Sequence, residues 1–355
     1  MKEYLWINWS NLDYLNMPVR GSFRNVVGNF EFPVDRFNML DNVLEIPCRN
    51  ILQDPKFLLT NLTNDWEDRY YSVLDSIADN VFTIANGRTI VVTYSGGIDS
   101  VSALISLQKH SKYKEYLEQG KFKVALTSTS ITEYPELFYK SILPNIPLIP
   151  LDYVSLMNDD DVMLVTGDMG DYCIGSSDTL RFSAMQPDLD LMAPWREIIP
   201  LISKVKGSAL YLHTMETLAS KAPFEICSIN QLFWWTANSL TGVQDDLFRP
   251  WYWSTAAKIE DAITQNKIFR FFYDAAMMTF SFEYMSTNPV YHNYIDNKTW
   301  QKKYIVNSTN DISYMNKQKI FSQRLSLRHV FKTSIYIEDG IIKFGTAGDI
   351  IHGNS

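Results

Sequence analysis

The segment Ile90-Val91-Val92-Thr93-Tyr94-Ser95-Gly96-Gly97-Ile98-Asp99-Ser100 constrains this chain more than any other, because it reads as a buried strand running directly into a glycine turn and then a helix. The β-branched run at Ile90 to Val92 suits a strand covered on both faces. Gly96 and Gly97 can take backbone angles closed to other residues, and they let an anion approach the main chain without meeting a Cβ. Beyond Asp99 the apolar period changes. Ile98, Val101, Leu104, Ile105 and Leu107 fall mostly on one helical face, so the turn opens a helix whose unpaired N–H groups and positive dipole end point at the anion. Ser95 and Ser100 add hydroxyl donors, and Asp99 supplies a carboxylate for the magnesium that accompanies a polyphosphate.

Two common glycine loops are absent: no Gly-x-x-x-x-Gly-Lys-Ser/Thr occurs, and the turn lacks the Gly-x-Gly-x-x-Gly spacing of dinucleotide folds. Ser-Gly-Gly-Ile-Asp-Ser instead resembles the PP-loop signature of the ATP pyrophosphatase superfamily. The resemblance implies cleavage of ATP between the α and β phosphates to leave an adenylated substrate. It assigns pyrophosphate to Ser95, Gly96, Gly97, Asp99 and Ser100, and magnesium to Asp99.

A second buried strand, Val162-Met163-Leu164-Val165-Thr166-Gly167, ends in Asp168-Met169-Gly170-Asp171-Tyr172-Cys173-Ile174-Gly175. Carboxylates at such a strand end lie on the edge where open α/β sheets bind ligands. The string is similar to the second nucleotide motif of asparagine synthetases and β-lactam synthetases. On that resemblance Gly167 belongs to the nucleotide site, Asp171 matches a second magnesium-binding aspartate, and Asp168 stands for the acidic residue beside the reacting centre. It departs from the family in having Asp rather than Glu at 168, Met169 in place of a glycine, and Tyr172 where the family has Glu. Read without the resemblance, Asp168 and Asp171 would also suit a solvated strand-to-helix loop, with Asp168 or Ser177 as a turn or cap residue.

Further fragments follow in the same order. Ala193-Pro194-Trp195-Arg196 and Lys221-Ala222-Pro223-Phe224-Glu225 resemble the helical region beside the substrate of asparagine synthetases. Lys302, Lys303 and Asn316-Lys317-Gln318-Lys319-Ile320-Phe321-Ser322 are similar to the family's lysine-bearing strings, one lysine of which stabilises the adenylate and its pyrophosphate. The resemblance leaves that role between Lys317 and Lys319, and a lysine run also suits a solvated helix face.

With 355 residues, 46% of them hydrophobic, the chain can bury a full core. A formal net charge of −8 argues against a general nucleic-acid binder without excluding a local basic patch. There is no membrane-length apolar stretch and no signal-peptide layout at Met1-Lys2-Glu3-Tyr4-Leu5-Trp6, so a cytoplasmic setting is expected. Cys48, Cys173 and Cys227 are too scattered for a disulfide framework or a zinc site, and Cys173 suits a small buried hydrophobe better than a reactive thiol. The five histidines show no metal-ligand spacing.

Four regions are expected. Residues 1–62 form a small β-containing N-terminal region, 63–195 an ATP-binding α/β domain, 196–332 a helical substrate-side region, and 333–355 a hairpin and tail. A helix runs from Asn64 to Asn86-Gly87, with Tyr70, Val73, Leu74, Ile77, Val81 and Ile84 toward the core. Strands at 122–127 and 146–151 alternate with helices at 98–118 and 133–142, which predicts a doubly wound parallel sheet. In the superfamily the second strand holds adenine through its backbone, which implies Leu126 and Thr127. From 195 onward the aromatic, helix-compatible sequence shows no strand alternation until Ile335 to Phe344, a hairpin candidate turning at Asp339-Gly340.

The chain therefore resembles the synthetase domain of asparagine synthetase, and with Lys2 rather than a cysteine nucleophile at position 2 it is expected to work without the family's glutaminase domain. The implied activity is ATP- and magnesium-dependent amide formation from a small-molecule carboxylate and an amine or ammonia. Two alternatives are a member of the superfamily that modifies a nucleobase or nucleic acid, and a non-catalytic nucleotide-binding or regulatory descendant. Homo-oligomerisation is left open.

Overall fold

The computed structural model describes residues 3–6, 65–126, 128–131, 133–176, 188–203, 209–241, 267–291, 294–317, 334–338 and 341–345. Its strands are β1 (Glu3–Trp6), β2 (Thr89–Tyr94), β3 (Phe122–Leu126), β4 (Leu148–Pro150), β5 (Val162–Thr166), β6 (Ile268–Arg270), β7 (Ser334–Glu338) and β8 (Ile341–Gly345). Five of them form one parallel sheet in the order β4-β3-β2-β5-β6. The chain builds outward from β2 to β4 and then returns to the other side of β2, so the topology switches direction between β2 and β5. In sheets of this kind ligands bind in the crevice at the carboxyl ends of the strands flanking that switch. The architecture is α/β, with a mostly helical C-terminal part, and is consistent with a Rossmann-like or nucleotide α-hydrolase fold.

Helices cover the sheet because its strands alternate between two buried faces. Ile90, Val92 and Tyr94 of β2 and Met163 and Val165 of β5 join the larger core, with Leu74, Ile77 and Val81 of α1 (Trp66–Ala85) and Val101 and Leu104 of α2 (Ile98–Lys109). Val91, Val162 and Leu164 point the other way, against Met157. Helix α1 stops where expected, with Asn86 in the left-handed conformation at φ 45° and Gly87 following at φ 84°.

Several elements depart from the sequence reading. The helix expected over 98–118 is two helices, α2 and α3 (Tyr113–Glu118). His110 ends α2 in extended geometry, its ring stacked on Phe82 at 4.3 Å and paired with Asp79 at 2.7 Å. Docking against α1 thus overrides a local pattern that contains no breaker. The helix expected from 133 starts at Pro135 as α4 (Pro135–Leu137) and widens into a π turn over Phe138–Ile142, which buries both Phe138 and Ile142. The region expected to be helical, 196–332, is mostly so but also contributes β6, too short to show alternation, followed by the buried aromatic turn Phe271–Tyr273.

The hairpin forms as β7 and β8 with Glu338 opposite Ile341; its turn residues Asp339 and Gly340 lie outside the described residues. β1 pairs with β7, so the beginning of the chain and the hairpin share a three-stranded sheet. The rest of the expected N-terminal region, with Cys48, lies outside the described residues. Among the described residues no helix is long and apolar enough to cross a membrane.

Candidate functional site

The glycine elbow leaves β2 at the topological switch and satisfies its own polar groups. Ser95 N–H donates to Ser100 Oγ at 3.2 Å, and Ser100 Oγ donates to the Gly97 carbonyl at 3.0 Å. That leaves Ser95 Oγ, 3.0 Å from Ser100 Oγ, as the donor between the two hydroxyls while it accepts from Gly97 N–H at 3.2 Å. Gly96 sits at φ 77°, and a Cβ there would stand 2.6 Å from the Ser130 carbonyl oxygen. Gly97 is the N-cap of α2, and no side chain caps that helix, so its first-turn N–H groups stay available to an anion.

The acidic elbow leaves β5 next door and fits against the first. A Cβ on Gly167 would fall 2.7 Å from Ser100 N, so the bare glycine lets the two elbows touch. The structure thus places Gly167 against the α2 backbone. Met169 takes the left-handed conformation at φ 75°, ψ −5°, where the resembling family carries glycine. A non-glycine residue held there costs on the order of 1–2 kcal/mol. The fold meets that cost with burial, since Met169 packs into the larger core. Gly170 follows, and any side chain on it would collide with the Asp99 carboxylate.

One cation joins the two elbows. Lys298, only 6% exposed, donates from Nζ to Asp99 Oδ1 at 2.9 Å and to the Gly170 carbonyl at 3.0 Å, and it lies 3.0 Å from Asp171 Oδ1. Those contacts match the three protons of an ammonium. Gln301 Nε2 also donates to Asp99 Oδ1, at 2.8 Å. Lys298 stands just before α5 (Thr299–Thr309), whose packing on α2 carries it over the glycine elbow. Sequence reasoning missed Lys298 and Gln301; the available signal was a polar pair at spacing i, i+3 on an otherwise weakly patterned helix.

The two aspartates expected to share a magnesium ion are therefore brought together. In kind, the oxygen set suits that ion: two carboxylates and a carbonyl are hard donors, and magnesium is commonly held by one or two carboxylates plus substrate phosphates. The pair stays below the size of a self-sufficient metal cluster: among the described residues no group of three or more His, Cys, Asp or Glu side chains that could hold a metal gathers, at these elbows or away from them.

Other expected residues fall further out. Asp168 sits half-buried at the end of β5. Leu126 ends β3 opposite Tyr94, and its carbonyl accepts from Leu151 N–H at 3.1 Å; Thr127 lies outside the described residues. Lys317 is brought not to the aspartates but to Glu136, at 3.7 Å, with its ammonium 4.1 Å from the centre of the Tyr134 ring. Burial holds its pKa below the usual lysine value, opposed by Glu136. Lys319 lies outside the described residues. Lys302 caps the Met315 and Lys317 carbonyls at 2.9 and 3.1 Å, and Lys303 pairs with Glu67 at 2.6 Å. Glu133, also unforeseen, is buried with its carboxylate against Gly97.

The helical part braces the acidic elbow from behind. Asn238 donates to the Tyr172 carbonyl at 3.0 Å, while Ser281 donates to the Cys173 carbonyl and accepts from Trp234 Nε1 at 3.0 Å. Cys173 is itself buried, and burial pushes its thiol far above the usual range, which keeps it protonated. No family model, curated protein or solved structure matches this chain, so its site is defined by its own geometry: a glycine elbow, an acidic elbow and a lysine between them at the switch point of a parallel sheet.

Proposed function

We propose that this protein is an ATP-dependent, AMP-forming carbon–nitrogen ligase of the PP-loop type, resembling the synthetase domain of asparagine synthetase. The observation that carries the reading is the meeting of Asp99 and Asp171 on one cation, beside a glycine elbow at an uncapped helix N-terminus. An isolated solvated loop would not need two carboxylates converging from neighbouring strands. A triphosphate with its cation does.

In this mechanism the turn of Ser95, Gly96, Gly97 and Ser100 holds the β and γ phosphates at the N-terminus of α2, its hydroxyls and the Gly97 N–H exchanging the bonds they make with one another for phosphate oxygens. A substrate carboxylate attacks the α-phosphorus in line, pyrophosphate leaves, and an amine or ammonia then displaces AMP from the acyl adenylate. Asp168, half-buried just beyond the carboxyl end of β5, accepts the proton of the attacking nitrogen. Asp99 and Asp171 would hold magnesium, which when bound offsets charge on the departing pyrophosphate. Lys298 takes the cationic role expected of Lys317 or Lys319, because it alone among the described lysines reaches both aspartates. A cytoplasmic setting would supply the nucleotide and the metal.

The test is ATP–pyrophosphate exchange across a panel of small carboxylic acids, with AMP measured as product. Exchange that depends on one class of acid and forms AMP supports the reading. Nucleotide binding with no exchange on any acid would favour the non-catalytic alternative, and exchange only with RNA or a nucleobase the other.

A further inference from the structure

We infer that Lys298 is a resident counter-ion that keeps the Asp99–Asp171 pair closed to divalent metal until nucleotide arrives, so that metal and nucleotide enter this site together and not separately. The inference rests on the metal role read above for those two aspartates, and it concerns their state before substrate binds.

The argument is one of size and charge. Asp99 Oδ1, Asp171 Oδ1 and the Gly170 carbonyl surround Nζ at 2.9 to 3.0 Å, the length of N–H···O contacts. Magnesium holds its oxygens at about 2.0–2.1 Å, so the same three atoms would have to close in by close to an ångström around a different centre. With the ammonium in place the two carboxylates are already half neutralised. A divalent ion entering alone would meet a buried positive charge at short range, in a site where water screens it little.

The surroundings hold the lysine there. Its side chain is 8% exposed, its three donors are used, and Gln301 fixes the shared Asp99 oxygen from the other side. Gly170 contributes twice, through its carbonyl to Lys298 and through the bare Cα that admits the Asp99 carboxylate. Asp99 is the second residue of α2, directly after the phosphate turn, so an ammonium on its oxygen already lies beside the polyphosphate cradle. Phosphate oxygens bound at that turn offer Lys298 a stronger anion, and its departure releases both carboxylates from the ammonium when the nucleotide's own metal needs them.

The test reads metal binding without turnover. Manganese(II), which takes the same oxygen donors as magnesium, is titrated against nucleotide-free protein, with free ion counted by electron paramagnetic resonance. It is then repeated with the α,β-methylene analogue of ATP. The expected result is no saturable manganese site in the free wild-type protein and one site with the analogue. In Lys298→Met and Lys298→Gln, manganese binding without nucleotide should become saturable and at least roughly tenfold tighter, whereas Lys298→Arg retains the block. Saturable manganese binding by the free wild-type protein overturns the inference, as do folded Met and Gln variants that still bind none. If neither neutral variant folds, the wild-type titration and Lys298→Arg decide it: a free-state site in either one rejects the counter-ion. A protein that takes up no ATP analogue would count against the ligase reading, while the free-state titrations would still report on the lysine.

Discussion

The two elbows at the switch point are built by opposite strategies. The glycine elbow is closed within six residues: the Ser95 and Ser100 hydroxyls and the Gly97 backbone satisfy one another. The acidic elbow depends on distant partners. Lys298 lies 128 residues from Gly170, Asn238 lies 66 from Tyr172, and Ser281 lies 108 from Cys173. A local motif can thus be carried by the sequence that follows one strand, whereas a metal-suited carboxylate pair needs the helical part to have folded over it.

That contrast can be broken by substitution, beginning with the residue both elbows share. Asp99→Ala should lower pyrophosphate exchange by about 10³-fold while leaving the circular-dichroism melt close to wild type, because Lys298 keeps Asp171 and the Gly170 carbonyl. An active variant would remove the aspartate from the mechanism. Next, Gly170→Ala should cost roughly 1–3 kcal/mol in urea unfolding, since its methyl group meets the Asp99 carboxylate and cannot be admitted without displacing it. A wild-type midpoint there would mean that the elbows are less tightly joined than their contact implies.

Milder changes sharpen the same comparison. Ser100→Ala should cost about 1–2 kcal/mol by the same unfolding measurement, by removing the hydroxyl's bonds to Ser95 and to the Gly97 carbonyl, and it should impair exchange. Asn238→Leu, far from the glycine elbow in sequence, should cost about 1–2 kcal/mol by removing the hydrogen bond to the Tyr172 carbonyl. The smallest effect belongs to Lys317→Met. Its 3.7 Å pair with Glu136 is partly exposed and contributes at most about 1 kcal/mol, and exchange should fall less than tenfold. A collapse of exchange in that variant would return the cationic role to Lys317.

How much was legible follows from the same distinction. The strand, glycine turn and helix at 89–109 were readable because apolar period, glycines and hydroxyls sit in one short window. The parallel sheet was readable from the alternation of strands and helices. Lys298 was not, because a polar pair at i, i+3 is too common a pattern to set it apart from Lys302 or Lys303; only the packing of α5 on α2 selects it. The end of α2 at His110 was hidden for a related reason, as the ring stacks on a residue from another helix. Met169 was noted as a departure from glycine, but its left-handed backbone became evident only in three dimensions.

β6 carries a consequence for dissecting the molecule. It lines the outer side of β5, pairing Leu164 with Ile268 and Thr166 with Arg270, yet it is drawn from a part of the chain about a hundred residues later. A fragment cut near residue 195 would retain both elbows while leaving β5, an unbroken run of buried side chains, as a bare edge able to recruit strands from other molecules. Expression of that N-terminal part alone should therefore yield self-associating material, and chain length beyond 270 becomes a requirement for solubility as much as for assembling the site.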